Sequence, residues 1–317
     1  MRTYALDIGK NTITLMHYQE ILFQQPALLA YDSAKKVLAI GQEAATLLGT
    51  RSVHPYKNTD ELFQYLSILF EREHVFRLFQ KVTIYYTCSP SFRDDEIEAI
   101  ETFCIYQGAN QVFYKPENLC AALGAQLQID TSIPATLLHI GHSCATITIF
   151  ENQEIVASST NAMGGEQIET QIKKWILNTF HFQVSDKACQ DIFIEIGQTQ
   201  YTLQPKSIRV PGVDIVSQQL KYLELNENQM AEMLAPVLYT WSEWLYNFLN
   251  TLDYASQKAI LQRGIVCSGS VAKLKNLCAS LHSQLSIPFN LAIDPSNCVT
   301  KGLMQISETE KKVEVIQ

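Results

Sequence analysis

Three side chains that bind metals fall within six residues at His139-x-x-His142-x-Cys144. The segment reads as a strand running into a turn, and three ligands in that setting make a poor zinc signature. Asp7 closes an apolar run just before Gly9-Lys10-Asn11, the position of a strand-end acid beside a turn. Glu117 follows Pro116 at the head of a helical stretch, where a carboxylate favours the positive end of the helix. Eight cysteines, at 88, 104, 120, 144, 189, 267, 278 and 298, form no C-x-x-C pair, and most lie in apolar stretches. They read as reduced, buried thiols in a cytoplasm rather than a disulfide framework.

The elements that must position these groups are legible in outline. Tyr4 to Tyr18 alternates apolar and polar residues around Gly9-Lys10-Asn11, which predicts strand, tight turn, strand. Ile21 to Ile40 continues in strand-like pieces, and helices are expected over Gln42–Leu48 and Thr59–Arg72. Val82–Thr87 is a strong β run, followed by the acidic first turn Asp94-Asp95-Glu96 of a helix to about Gln107. A short strand at Val112–Tyr114 precedes the helix that Pro116 opens. Around Ala135 the pattern restarts. Leu137–Phe150 again reads strand, turn, strand, and Ile140-Gly141 repeats Ile8-Gly9. Helices over Gln167–Phe180, Val184–Ile196 and Asn228–Leu252 follow, then a strand and turn at Gly264–Ser270 and a last helix to about Leu285. The charged tail after Glu308 is expected to fray. A weak internal repeat of strand-hairpin-strand units with helices between them points to duplicated α/β lobes.

Composition bounds the answer. A chain of 317 residues suits two domains, and 47% hydrophobic with 18% charged residues is a globular balance. Net charge is -8, so no broad basic surface for nucleic acid is expected. The first residues hold no signal-peptide core, and no uninterrupted apolar run approaches the length of a spanning helix.

In order along the chain, Ala5-Leu6-Asp7-Ile8-Gly9-Lys10-Asn11-Thr12, Ile40-Gly41-Gln42-Glu43-Ala44, Glu117 with Ala121-Ala122-Leu123-Gly124-Ala125, Met163-Gly164-Gly165-Glu166, Ile194-Glu195-Ile196-Gly197, Arg263-Gly264-Ile265-Val266 and Asp294-Pro295-Ser296-Asn297-Cys298-Val299 resemble stations of the MreB family, the bacterial actins that govern rod shape. The resemblance spans about residues 4–306. It implies an α/β, actin-like ATPase fold: two duplicated lobes with central mixed sheets flanked by helices and a nucleotide cleft between. The implied domains are 1–135, with a small subdomain at about 28–65, and 136–300, with a small subdomain at about 181–235. Residues 301–317 would be a C-terminal helix returning to the first lobe, and a tail.

The resemblance also implies roles. ATP and Mg²⁺ are the expected cofactors. Asp7 would hold water around Mg²⁺, and Gly9, Lys10, Asn11 and Thr12 would form the first phosphate turn. Lys10 is read either as a phosphate contact or as a solvated hairpin lysine. Glu117 would place the nucleophilic water as the catalytic residue, although Asn118 stands where the family has proline. The second phosphate turn would be Gly141, His142 and Ser143, and here the chain departs from the family's Asp-Ile-Gly-Gly-Gly-Thr-Thr. His139 stands in place of the acid. If His142 and Ser143 need positive φ, each costs on the order of 1–2 kcal/mol. Gly164, Gly165 and Glu166 would line the same pocket, with Asp191, Gly269 and Ser270 near the base and ribose. These worn positions imply weak or lost hydrolysis.

Phe76, Leu78 and Phe79 match the place where some family members insert an apolar loop into the membrane, with Arg72 and Arg77 beside them for anionic headgroups. Taken together, the expectation is a cytoplasmic cytoskeletal protein whose filaments line the inner face of the cell membrane and organise cell shape or wall synthesis. Its expected partners are other copies of itself, other bacterial actins, shape-complex membrane proteins and the lipid surface. One alternative is a pseudo-ATPase scaffold that modulates a partner filament. The other is a DnaK-like ATPase, for which a substrate domain would be expected after residue 310.

Overall fold

Sixteen strands and ten α-helices account for most of the computed structural model, which describes residues 2–18 and 20–316, with side chains as far as Glu310. In chain order they begin with β1 Arg2–Ile8, β2 Thr12–His17, β3 Glu20–Pro26, β4 Leu28–Tyr31, β5 Val37–Ile40, α1 Gly41–Thr46, β6 Ser52–Pro55, α2 Thr59–Arg72, β7 Val82–Cys88, α3 Asp94–Tyr106, β8 Gln111–Tyr114 and α4 Glu117–Gly124. Next come β9 Ala135–Ile140, β10 Ala145–Glu151, β11 Glu154–Asn161, α5 Gly165–Phe180, β12 Phe182–Gln183, α6 Asp186–Ile196, β13 Ser207–Asp214, β14 Gln219–Asn226, α7 Glu227–Asn250, α8 Tyr254–Arg263, β15 Ile265–Ser268, α9 Leu277–Leu285, β16 Phe289–Leu291 and α10 Cys298–Ile316. The chain divides into two compact units: the segment up to Gln126 together with Asn297 onward, and Leu127–Ser296.

In the first unit the main sheet runs β3-β2-β1-β7-β8. β1 is antiparallel to β2 and parallel to β7, and β7 is buried at all of its positions. A strand covered on both faces needs an apolar run rather than strict alternation, which Val82–Cys88 supplies. α2 starts where the Asn58 side chain accepts from the Glu61 N–H, and it buries Leu62, Tyr65, Leu66, Leu69 and Phe70, one stripe of a 3.6-residue repeat. That stripe enters the same core as Tyr4, Leu6, Ile8 and Ile84. The small sheet β5-β4-β6 packs with α1 around Ala30, Ala39 and Ala44. α10 crosses α4 with almost no gap. A Cβ on Gly124 would stand 1.8 Å from the Cys298 carbonyl oxygen, and one on Gly302 would stand 1.8 Å from the Cys120 carbonyl oxygen. Only glycine fits either position.

In the second unit the main sheet runs β11-β10-β9-β15-β16, the same order and the same pattern of parallel and antiparallel neighbours. The core gathers Leu138, Ile147, Ile168, Ile172 and Trp241 under α5 and α7. α7 begins with a reciprocal cap, in which the Asn226 side chain accepts from the Gln229 N–H and the Gln229 side chain accepts from the Asn226 N–H. A smaller sheet, β12-β13-β14, stands beside α6.

The unit boundary falls at Gln126/Leu127, where the sequence places it at 135/136, and the returning segment starts at Asn297 rather than at 301. The sequence reading has no counterpart for α8, which Asp253 caps through the Ser256 N–H, or for β14. α10 continues to Ile316, past Glu308, where fraying was expected.

Candidate functional site

Each main sheet ends in a glycine turn closed by the same backbone bond. Gly9 N–H donates to Thr12 O at 3.1 Å, and Gly141 N–H donates to Cys144 O at 2.9 Å. A Cβ on Gly9 would approach Thr12 O to 2.6 Å, so a side chain there opens the turn. The amide N–H groups of Asn11 and His142 meet no acceptor among the described residues. Donors without acceptors at a tight turn suit an anion.

In the first unit, Asp7 sits at the end of β1 and accepts from Thr300 Oγ1 at 3.1 Å, a contact delivered by α10. Desolvation pushes the Asp7 carboxyl up to about 6, against which the Thr300 bond works. Glu117, the first residue of α4, is pushed up to about 8, mainly by burial and further by the charge of Asp7. α4 and α10, locked at their glycine crossing, therefore bring a second carboxyl and a hydroxyl to Asp7. Two desolvated carboxyls, one raised further by the charge of the other, are a place where a cation would relieve both. Lys10 is not simply a solvated hairpin lysine: its Nζ lies 4.3 Å from the centroid of the Phe92 ring and 4.8 Å from that of Tyr56. The Tyr56 hydroxyl in turn donates to Gly9 O at 3.2 Å.

In the second unit, His139 ends β9 and its Nδ1 lies 2.9 Å from Ser268 Oγ. Burial holds the imidazole down to about 4, so the ring is neutral at pH 7. The strand-end position holds no carboxylate for a hydrated cation, and the acid nearby, Glu166, is exposed in the first turn of α5. The strain expected at His142 and Ser143 is absent: neither has positive φ. The turn accommodates both without backbone cost because its closure depends on Gly141 N–H and not on a left-handed residue. Gly164 packs onto it, since a Cβ there would stand 2.5 Å from both Cys144 N and His142 O. Gly165 N–H donates to Gly141 O at 3.1 Å and Glu166 N–H to His142 O at 2.8 Å. The first amides of α5 are thus spent on the turn's carbonyls. Burial also lowers His142, opposed by the charge of Glu166. Gly269 has φ +93, and a Cβ on it would stand 2.2 Å from Ile140 O. Its N–H donates to Pro295 O at 2.7 Å, and the exposed Ser270 heads the short 3₁₀ turn Val271–Lys273.

The structure thus gathers Asp7, Gly9, Lys10 and Glu117 in one unit, and His139, Gly141, His142, Gly164, Gly165, Glu166 and Gly269 in the other. Asp191 lies on α6 and pairs with Lys187 one turn away. His139, His142 and Cys144 do not form a ligand set: among the described residues no three His, Cys, Asp or Glu side chains gather to hold a metal. Sequence reasoning missed Thr300, Tyr56 and Phe92. Thr300 directly follows the Asp294–Val299 motif, which was its available signal, whereas nothing near Tyr56 or Phe92 marks either as a neighbour of Lys10.

The apolar segment before β7 splits. Leu78 is 87% exposed and Phe79 104%, at a tight turn where Gln80 N–H donates to Arg77 O and Phe79 has φ +64. Phe76 departs from the expected set: its ring packs edge-on against Phe70 at 5.4 Å, at the margin of the core, and Val75 is fully buried. No described helix is long and apolar enough to cross a membrane.

The MreB/Mbl protein family model matches residues 1–315. The cell shape-determining protein Mbl of Bacillus subtilis (strain 168) is 23% identical over 316 residues, covering 95% of this chain and 94% of that protein. The cell shape-determining protein MreB of Haemophilus influenzae is 24% identical over 320 residues, covering 94% and 90%. Among solved structures, MreB5 of Spiroplasma citri bound to AMPPNP superposes with a TM-score of 0.92 at 21% identity, covering 100% of this chain and 99% of that one. The MamK double helical filament gives a TM-score of 0.81 at 12% identity, covering 97% and 98%. The fold is actin-like.

Proposed function

The chain belongs to the MreB/Mbl family, and we propose from that premise that it is a cytoskeletal actin-like protein. Its copies assemble into filaments on the inner face of the cell membrane and organise cell shape or wall synthesis. The relatives named for cell shape and the filament form of MamK support the cytoskeletal part. The observation that carries the membrane part is the exposed pair Leu78 and Phe79, which follow Arg77 in the chain, with no apolar neighbour burying either tip. Full burial of such a side chain contributes roughly 1.5–3 kcal/mol, so one protomer binds weakly, while a filament repeats the contact many times.

The chain binds a nucleotide and hydrolyses it slowly or not at all. The AMPPNP and ADP complexes of the Spiroplasma citri protein support the ligand class. In the first unit, Gly9, Lys10, Asn11 and Thr12 form one phosphate turn. In the second, Gly141, His142 and Ser143 form another, backed by Gly164, Gly165 and Glu166. Asp191, Gly269 and Ser270 serve the nucleoside. The residues of the first unit fit Mg²⁺: Asp7 would hold it through water, and its charge would draw the raised carboxyls of Asp7 and Glu117 back toward ionisation. Glu117 then accepts a hydrogen bond from the attacking water. The residues of the second unit do not fit a hydrated cation, because His139 is neutral and donates or accepts only as an imidazole. That imbalance is the reason for slow turnover.

Co-sedimentation with anionic liposomes tests the reading. The unmodified chain pellets with lipid and with its own polymer, and Leu78→Ser/Phe79→Ser leaves the polymer but not the lipid binding. Equal pelleting of both proteins with lipid removes the membrane role. Failure to polymerise alone, with capture by a partner bacterial actin, shifts the role to a scaffold that modulates that partner.

A further inference from the structure

His139 is 7% exposed, and its ring makes one hydrogen bond among the described residues, from Nδ1 to Ser268 Oγ at 2.9 Å. The direction of that bond follows from the serine. Ser268 is fully buried, and among the described residues its hydroxyl meets only His139. A buried O–H that donates to nothing bears the desolvation of a donor, while a hydroxyl oxygen with a spare lone pair bears less. The hydroxyl therefore donates and Nδ1 accepts. A neutral imidazole whose Nδ1 accepts carries its proton on Nε2. Nε2 meets no partner among the described residues, and it lies on the turn side of the ring, 3.6 Å from where a Cβ on Gly141 would stand. Close by, the His142 amide N–H also lacks an acceptor. A buried ring thus presents its one free polar atom, a donor, to a glycine turn that carries a second donor and no strand-end acid, the nearby Glu166 being exposed.

We propose that His139 Nε2–H is a phosphate-binding donor, hydrogen-bonding directly to a nucleotide phosphate oxygen at the Gly141–Cys144 turn. A carboxylate in that position repels a phosphate and reaches it only through a cation and its water. An imidazole N–H needs neither. Ser268 is the positioning residue, fixing both the tautomer and the ring. The second unit consequently recognises phosphate without a divalent cation. This inference rests on the reading of the turn as a phosphate site.

The test measures ADP and adenosine binding to the full chain in Mg²⁺ and in EDTA. The unmodified protein holds ADP nearly as well in EDTA as in Mg²⁺, and holds adenosine more weakly than ADP. His139→Asp loses about tenfold or more in EDTA and recovers in Mg²⁺, which also reports that the variant is folded. His139→Gln keeps an N–H donor and keeps EDTA binding. Nitrogen-15 NMR of the histidines finds the His139 proton on Nε2, with that resonance shifting on addition of ADP. Binding that requires Mg²⁺ in the unmodified protein, equal binding of ADP and adenosine, or a proton on Nδ1 each overturns the inference while leaving nucleotide binding in place. Absence of ADP binding under both conditions removes the proposed function and this inference together. If the Asp variant does not fold, the Gln variant and the NMR measurement decide.

Discussion

Asp7 and His139 occupy the same place in two sheets of the same strand order. Asp7 stands opposite Thr14 on the antiparallel neighbour and Thr87 on the parallel one, and His139 stands opposite Thr146 and Ser268. Both turns close with a glycine N–H on the carbonyl three residues ahead. The side chains have gone different ways. In the second unit the hydroxyl of the parallel strand is bonded to the histidine, while in the first unit Thr87 Oγ1 is buried beside the Cys120 thiol, with no hydrogen bond of normal geometry among the described residues. The comparison teaches where the constraint lies. Register and turn closure are set by backbone and glycine, so the strand-end side chain can change its charge type as long as one neighbour satisfies it.

The comparison is broken most severely at Gly269. Its counterpart by register is Cys88, still inside β7, whereas Gly269 leaves β15 at φ +93 against Ile140 O. Gly269→Ala should destabilise the second unit by about 3 kcal/mol or more, and Cys88→Ala should cost only about 1 kcal/mol. Urea unfolding of both variants checks this, and similar losses would mean the two sheet ends are not differently constrained.

Acidity separates the two turns next. The folded-state values of Asp7 and Glu117 lie above the ordinary carboxylate range, at about 6 and about 8, so the folded protein holds more protons than the unfolded chain between roughly pH 4 and 8. Stability from this pair is full below pH 4 and is lost as pH rises through 8. His139 is depressed to about 4, so its contribution is present above the ordinary histidine value and is lost as pH falls from 6.5 to 4. In EDTA and without nucleotide, the melting temperature of Glu117→Gln should fall less from pH 6.5 to 8 than that of the unmodified protein. His139→Asn should flatten only the acid side. Parallel curves for all three would show that the carboxyls are already neutralised by some other group.

The smallest effect sharpens the comparison at the two hydroxyls. Ser268→Ala removes the only partner of His139 Nδ1 and should cost about 1 kcal/mol, whereas Thr87→Val exchanges an orphaned hydroxyl for a methyl and should be neutral or stabilising. Chemical denaturation resolves the sign, and equal losses would show that Thr87 is satisfied after all.

Much of this was legible from the chain. The Ile-Gly pairs at 8–9 and 140–141 announced the duplication, although only the first turn is sterically bound to glycine: a Cβ on Gly9 would stand 2.6 Å from Thr12 O, while one on Gly141 would stand at an ordinary 3.5 Å from Cys144 O. α2 matched its expected span, Thr59–Arg72, because an asparagine cap and a full apolar stripe mark both ends. The acid-to-histidine change at 139 was plain, but its bond to Ser268 joins strands far apart in sequence, and only the parallel register brings them together. Phe76 and Phe79 look alike in sequence. A loop has no periodicity to say which faces the core, and one packs on Phe70 while the other is bare. The ring pair around Lys10 likewise comes from two distant segments.

The crossing of α4 with α10 sets an order of events during synthesis. The glycine at 302 that completes it lies beyond the whole second unit, Leu127–Ser296. At roughly 5–20 residues per second, α4 waits about 10–35 s after its own synthesis before its mate exists. Through that interval the groove over Cys120 and Gly124 is open, Asp7 lacks its threonine, and the nascent first unit is a docking site for whatever meets it. The unit begun first is therefore the one finished last, and its vulnerability in the cell is a matter of timing that no equilibrium stability describes.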